Sequence, residues 1–294
     1  MHPSYKMLHP SWTNKPPTQI NGLGVTHDAD SAIATAVHRS IYPADAIVTY
    51  FDFNQEWVRE DCIHWLCNNE DEIIYMDACM ANHKCWGNHP TYMEDESGRI
   101  VVNEQSANLN TWVGPKRTED FYRKSHLSTA LHILSYYNIN IMEKLNEEAL
   151  AVLAMIDGVH KTFLGNNDEW KEKDKYLIEE ILGFRDFTYL FKQWNKMKYF
   201  NRLNFKYILY GKIRINPIQH TLETNIRLNM LEELFEPIGL KFEFPSQKFR
   251  LAKTFRFKQT YPNSNQIPKK DVIYSNCWNK KKTIWYSTLE IVHI

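Results

Sequence analysis

The stretch Gly24-Val25-Thr26-His27-Asp28-Ala29-Asp30-Ser31-Ala32-Ile33-Ala34-Thr35 decides the fold. An apolar strand runs into three polar residues and out again as a helix rich in small side chains, the pattern of a β-strand feeding a helix that lies close on a sheet. Asp28 and Asp30, two residues apart, place hard oxygen ligands on the turn at the carboxyl end of that strand, where open α/β sheets bind their ligands. His27 adds a borderline metal ligand or proton carrier, and Ser31 is the expected helix cap. An Asp-x-Asp on a turn is also an ordinary surface cap, so its meaning rests on the residues downstream.

Further buried strands are expected at 46–51, 73–76 and 100–102, with a helix at 55–67 on which Val58, Cys62, Trp65 and Leu66 share a face. Asp77 ends the 73–76 strand as Asp28 ends the first. Helices are predicted from Ser128 and over 146–156, the second stopping at Asp157-Gly158. Strands alternating with helices predict right-handed βαβ units around a parallel sheet. The Pro- and His-rich residues 1–20 form an arm, 21–165 an α/β domain, 166–205 a helical connector, and 206–294 a smaller α+β domain. In that last part helix is expected over 226–235 and strands near 241–244, 251–257 and 283–291.

Apolar residues make up 43% of the 294-residue chain and aromatics 14%, which excludes disorder. Thirty-five basic residues balance 35 acidic ones, so the distribution of charge carries more than its sum. Acids dominate between Glu56 and Glu104, whereas 248–282 holds ten Lys or Arg and one acid, Asp271. Five cysteines without a CxxC pair fit a reducing compartment. No apolar run matches a membrane span or a leader's hydrophobic region, and a cytoplasmic protein is expected.

The motifs, in this order, resemble the DHH phosphoesterase superfamily: Thr26-His27-Asp28-Ala29-Asp30-Ser31-Ala32, Tyr50-Phe51-Asp52-Phe53-Asn54, Ile73-Ile74-Tyr75-Met76-Asp77, Ser128-Thr129-Ala130, and the segment ending at Asp157. The resemblance spans residues 21–165. It implies that Asp28, Asp30, Asp77 and Asp157 hold two Mn²⁺ or Mg²⁺ ions, that His27, Asp28 and Asp77 are catalytic, and that water attacks a phosphodiester of a short oligonucleotide or (cyclic) nucleotide. The family's Asp-His-His, expected after the 100–102 strand, would here be Asn103-Glu104-Gln105, and its Gly-rich C-terminal motif is missing. His83 or His89 are alternative metal ligands. With Cys79 and Cys85 they form a C-x3-H-x-C-x3-H pattern that matches no common zinc finger.

Lys248, Arg250, Lys253 and Arg256 alternate with Phe249, Phe255 and Phe257, next to Lys258 and Tyr261. This suits either a substrate clamp of phosphate contacts and base stacking or a half-buried strand. A second functional class comes from the same resemblance: degenerate members serve as replication scaffolds, so an eroded, metal-free fold binding nucleic acid or assembly partners is the alternative.

Overall fold

In the computed structural model, which describes residues 1–16, 18–89, 102–113, 125–194, 197–260, 272–278 and 283–293, strand β1 (Gly22–Val25) is buried along its whole length. It lies inside a nine-stranded mixed sheet. The other strands are β2 (Ala46–Phe51), β3 (Gln55–Arg59), β4 (Ile73–Met76), β5 (Lys84–Gly87), β6 (Ser106–Asn108), β7 (Ile213–Ile215), β8 (Leu222–Thr224), β9 (Phe249–Thr260), β10 (Val272–Trp278) and β11 (Thr283–Val292). The sheet order is β10-β11-β9-β3-β2-β1-β4-β5-β6, with β7 and β8 forming a separate hairpin. From β2 to β6 every pairing is parallel; from β2 outward through β3, β9, β11 and β10 every pairing is antiparallel.

The helices are α1 (Pro3–Lys6), α2 (Ala29–Ile41), α3 (Ile63–Asn69), α4 (Leu109–Val113), α5 (Thr129–Tyr136), α6 (Ile141–Lys144), α7 (Glu147–Met155), α8 (Val159–Leu164), α9 (Asp168–Tyr176), α10 (Met197–Tyr207) and α11 (Leu228–Phe235). Residues 29–38 of α2 are buried all round, as a helix enclosed between a sheet and other helices must be. Its alanines keep it thin, and α5 packs against it. One core joins these helices to Leu23, Val25, Ile74, Met76 and Trp86 of the sheet. The opposite sheet face supplies Val48, Phe51, Tyr75 and Cys85 to a second core, closed by α3 and by Phe255 and Tyr274. A Cβ at Gly24 would fall 2.5 Å from the Tyr75 ring, so glycine there lets Tyr75 lie over β1. Among the described residues, no helix is long and apolar enough to cross a membrane.

Three sequence expectations are corrected. The start of the expected 55–67 helix is β3, whose alternation leaves Gln55, Trp57 and Arg59 half-buried and turns Glu56 and Val58 inward; helix begins only at Ile63. Val58, Cys62 and Leu66 are all buried, but across a strand, a 3₁₀ turn and a helix. The fourth parallel strand is Lys84–Gly87, not 100–102: Val102 is irregular, and Ile100 and Val101 lie outside the described residues. Finally, 241–244 forms no strand, while Val272–Trp278, unforeseen, does.

The segment set apart as 206–294 adds β9, β10 and β11 to the same sheet as the first strands, by way of β3. The sheet also curls: Met80, just beyond β4, bridges to Tyr274 of β10, and Ala81 N donates to the Ile273 carbonyl at 2.8 Å. β4 and β5 are parallel neighbours joined by residues 77–83 alone. A connection this short suffices because both strands are only four residues long. That return segment pairs with β10 through Met80 and Ala81 and contains no crossover helix.

The N-terminal arm is docked through a buried ion pair. Lys15 Nζ donates to both oxygens of Asp45 at 2.7 Å, with the two side chains 1% and 0% exposed. His38 Nε2, from the last turn of α2, and the Asn21 amide complete the ring around Asp45, each at 2.9 Å. Nearer its start, His9 faces His132 of α5, Nε2 to Nε2 at 2.8 Å, among Trp86, Trp112 and Tyr136.

Candidate active site

β1 has β2 on one side, reached through α2, and β4 on the other, so the chain changes direction across the sheet at β1 and β4. Loops leaving the carboxyl ends of strands at such a switch point diverge and leave a crevice. Asp28 and Asp30 follow β1, Asp77 follows β4 directly, and Asp157 enters from the turn between α7 and α8, where Gly158 takes φ +98°. Asp28 and Asp157 lie near enough to Asp30 and Asp77 to raise the carboxyl pKa of both.

Their individual bonds differ. Asp28, not Ser31, is the N-cap of α2 and accepts from Ser31 N at 3.2 Å. The Ser31 hydroxyl is released to donate to the Met76 carbonyl and accept from Thr26 N, tying the first turn to the end of β4. Asp30 is 2% exposed and seats itself on the N-terminus of α5, accepting from Thr129 N at 2.7 Å and Ala130 N at 3.0 Å. Free amides and the positive helix end make this a stable place for a carboxylate. Asp77 has a left-handed backbone (φ 55°), uncommon for a non-glycine residue, and accepts from the Thr129 hydroxyl at 2.7 Å. Ser128 caps α5, which leaves Thr129 to serve both acids.

Burial, then Asp157 and Asp28, raise the Asp30 carboxyl well above its ordinary value, against the pull of the two α5 amides. Desolvation, then Asp30, Asp28 and Asp157, do the same to Asp77. The main charged neighbours of each acid are therefore other acids. His27 lies edge-on to Phe53, ring centroids 5.1 Å apart. Burial lowers its pKa, opposed by Asp28 and reinforced by Lys212. The backbone of His27 is pinned by Ile213 N of the β7 hairpin at 2.9 Å.

A cavity of about 70 Å³ opens here, lined by Thr26, His27, Asp28, Asp77, Cys79 and His89 on the acid side and by Phe51, Phe53 and Tyr274 on the other. His89 arrives with Asn88 at the carboxyl end of β5. Asn88 is buried and its amide reaches toward Asp30 at 3.4 Å, while Asn108 and Asn110 hold the His89 and Asn88 carbonyls. A Cβ at Gly87 would sit 2.5 Å from the Ala78 carbonyl oxygen, so glycine is what lets β5 end against the return segment.

The pair at the end of the fourth parallel strand is thus Asn88-His89. Asn103 is used elsewhere: its amide donates to the Met80 and His83 carbonyls, each at 2.9 Å, and its side-chain oxygen accepts from Gln105 N. The Cys/His pattern is divided. Cys79 and His89 reach the cavity, whereas His83 packs on Tyr75, and Cys85 is fully buried, its thiol pushed up to about 11 by burial. Among the described residues, no group of three or more His, Cys, Asp or Glu stands close enough together to hold a metal ion as placed.

The four basic candidates lie on or beside β9. Lys253 pairs with Glu56 at 3.2 Å and with Glu70, Arg256 with Glu290 at 2.7 Å, and Lys248 and Arg250 are exposed. Among the described residues, none of the four lines the cavity; the cation acting on His27 is Lys212, which directly precedes β7. Lys212, Asn88 and the double role of Thr129 escaped sequence reasoning. Their only signals were an isolated Lys, an Asn-His pair after a mixed four-residue strand, and a Ser-Thr pair at a helix start.

No known protein family matches this chain, and no curated protein or solved structure is significantly similar to it.

Proposed function

We propose that the chain is a divalent-cation-dependent phosphoesterase of DHH type that hydrolyses phosphodiester bonds. The observation that carries this reading is that Asp28, Asp30, Asp77 and Asp157, from three separate segments, lie near the sheet's switch point, with no Lys or Arg, among the described residues, in the charges that govern Asp30 and Asp77. Carboxylates crowded in this way stay ionised at neutral pH only with a cation among them. The donors are hard oxygens, which suit Mn²⁺ or Mg²⁺.

Asp28, Asp77 and Asp157 would hold the ion, which when bound supplies Lewis-acid polarisation of a phosphoryl oxygen and a lowered pKa for a bound water. Asp30 has a different task. With both oxygens committed to α5 it fixes the helix that presents Thr129, and Thr129 fixes Asp77. His27, neutral at pH 7 because burial lowers its pKa, is able to accept a proton at its ring nitrogen on the cavity wall. Phe51, Phe53 and Tyr274 give the cavity an aromatic wall on the other side.

A second reading, a metal-free relative acting as a nucleic-acid-binding or assembly scaffold, is favoured by the carboxamide of Asn88 at Asp30 and by the fact that, among the described residues, no three ligating side chains stand close enough to hold a metal ion as placed. Elemental analysis of chain purified without chelator, with a Mn²⁺-dependent assay on a generic phosphodiester, separates the two. Stoichiometric Mn²⁺ or Mg²⁺ with turnover supports the phosphoesterase. Inert, metal-free chain that still shifts single-stranded nucleic acid supports the scaffold.

A further inference from the structure

At the rim of the sheet opposite the acids, two arginines face one hollow. The last turn of α2 brings Arg39 beside the amino end of β2, and β3, antiparallel to β2, ends there with Arg59. Between them lies a cavity of about 220 Å³, whose lining includes both arginines, Ile47, Glu243, Phe244 and Gln247. The acid crevice, at the carboxyl ends of β1 and β4, shares none of these residues.

The two guanidiniums are employed differently. Arg59 is anchored: its Nε donates to Asp61 at 2.7 Å, and Nη1 and Nη2 donate to the Ile47 carbonyl and the Cys62 sulfur, each at 2.9 Å. Each terminal nitrogen keeps a second N–H. Arg39 is half-buried and, among the described residues, pairs with no carboxylate; its one hydrogen bond runs from Nη1 to the Glu243 carbonyl at a long 3.4 Å. Its Nε is buried and has no hydrogen-bond partner among the described residues. Glu243 itself is exposed, and its charge bears on Lys241. A buried donor of a charged group calls for an ion or an ordered water. Water would satisfy the Nε but not the charge, whereas an oxyanion answers both and matches the guanidinium fork with two oxygens.

We propose that Arg39 and Arg59 bind a phosphate group in this cavity, inorganic or carried on a small molecule, at a site separate from the acid crevice. Two guanidiniums around one hollow suit a group with more than one negative charge and oxygens enough for both, which a phosphate has and a single carboxylate lacks. One water needs about 10–15 Å³, so the volume takes a phosphate with space beyond it, where Ile47 and Phe244 offer apolar contact to whatever the phosphate is attached to. The proposal stands whether or not the crevice is a phosphoesterase site.

Calorimetric titration of the whole chain with inorganic phosphate, phenyl phosphate and acetate, at constant ionic strength and in chelator so that no metal holds phosphate at the acids, tests it. Both phosphates should bind, acetate at least about tenfold more weakly, and Arg39→Gln should weaken phosphate at least about tenfold while melting remains cooperative. Arg39→Lys, which keeps the charge and loses the fork, should weaken it severalfold. Phenyl phosphate binding more tightly than inorganic phosphate supports the site with an organic phosphate ester as its ligand; equal affinities support it with free phosphate. Acetate binding as tightly as phosphate, phosphate affinity unchanged in the Arg39 variants, or no binding of either phosphate would overturn the site.

Discussion

Helix α2 has a buried acid near each end, and the two are treated in opposite ways. Near its C-terminal end burial pushes the Asp45 carboxyl up, but hydrogen bonds from His38, Lys15 and the Asn21 amide outweigh it and hold the group below the usual range. At the N-terminal end Asp30 and Asp77 are driven up by desolvation and by the carboxylates around them. Asp45 has a cation built in, Lys15, whose ring of contacts docks the arm. Among the described residues, Asp30 and Asp77 have amides and a hydroxyl as partners and acids as their main charged neighbours. The proposed cation would do for this second cluster what Lys15 does for Asp45 near the far end of the same helix.

Substitution at each end should break this comparison in different ways. The largest effect is expected from Asp77→Asn, which keeps the Thr129 bond but removes an anionic ligand: phosphodiester hydrolysis falls about a thousandfold or more. The chelated chain should melt no lower than the parent, because a crowded charge has gone. Equal hydrolysis by the variant in a Mn²⁺-dependent assay would remove Asp77 from the site. Lys15→Met strands Asp45 and should cost about 3–5 kcal/mol, read from denaturant midpoints, with no loss of turnover in the chain that stays folded. A shift below about 1 kcal/mol would mean that the pair is not buried as described.

pH sharpens the contrast. Asp30 and Asp77 titrate above the unfolded carboxylate value of about 4, so the folded chain binds protons that the unfolded chain has released. Their contribution to stability is full below that value and is lost as pH rises through the folded values; added Mn²⁺ should restore the loss. Asp45, shifted down, contributes in the opposite sense: its stabilisation is present above the unfolded value and is lost as pH falls through the folded one. Burial likewise takes His9 from 6.5 down to about 4, so the arm loses stability as pH falls from 6.5 toward 4. Melting temperatures from pH 2 to 8, with Mn²⁺ or chelator, check all three. The smallest expected change is from Gly87→Ala, about 1–3 kcal/mol as the new methyl pushes the Ala78 carbonyl, with a several-fold loss of turnover through Asn88 and His89. Wild-type stability and turnover would show that β5 is free to move.

The acid end of this comparison is legible in the sequence because its signals are local. Buried runs at 46–51 and 73–76, each ending in a polar turn, give β2, β4 and the place of Asp77, and the caps Ser128 and Asn146 give α5 and α7. Lys84-Cys85-Trp86-Gly87 does not announce itself, because two of its four residues carry no strand signal, whereas Ile100-Val101-Val102 carries a strong one. That difference moves the end of the fourth strand from Asn103, where the pattern points, to Asn88-His89. β3 reads as helix because Val58, Cys62 and Leu66 keep a four-residue spacing across a strand, a turn and a helix. Nothing local states that β9 pairs with β3, so the aromatic wall and the ion pairs of Lys253 and Arg256 become visible only with the fold.

The bridge between Met80 and Tyr274 has a consequence for how the molecule is assembled. It joins positions nearly two hundred residues apart, and contacts of such long sequence separation form slowly, since loop-closure entropy opposes them. The acidic crevice therefore acquires its last wall at a late stage, and until then its carboxylates remain hydrated and tolerate one another. Amide exchange at Ala81, whose partner is Ile273, should accordingly be fast beside that of β1 and β4, marking this seam as the first to open in the finished protein.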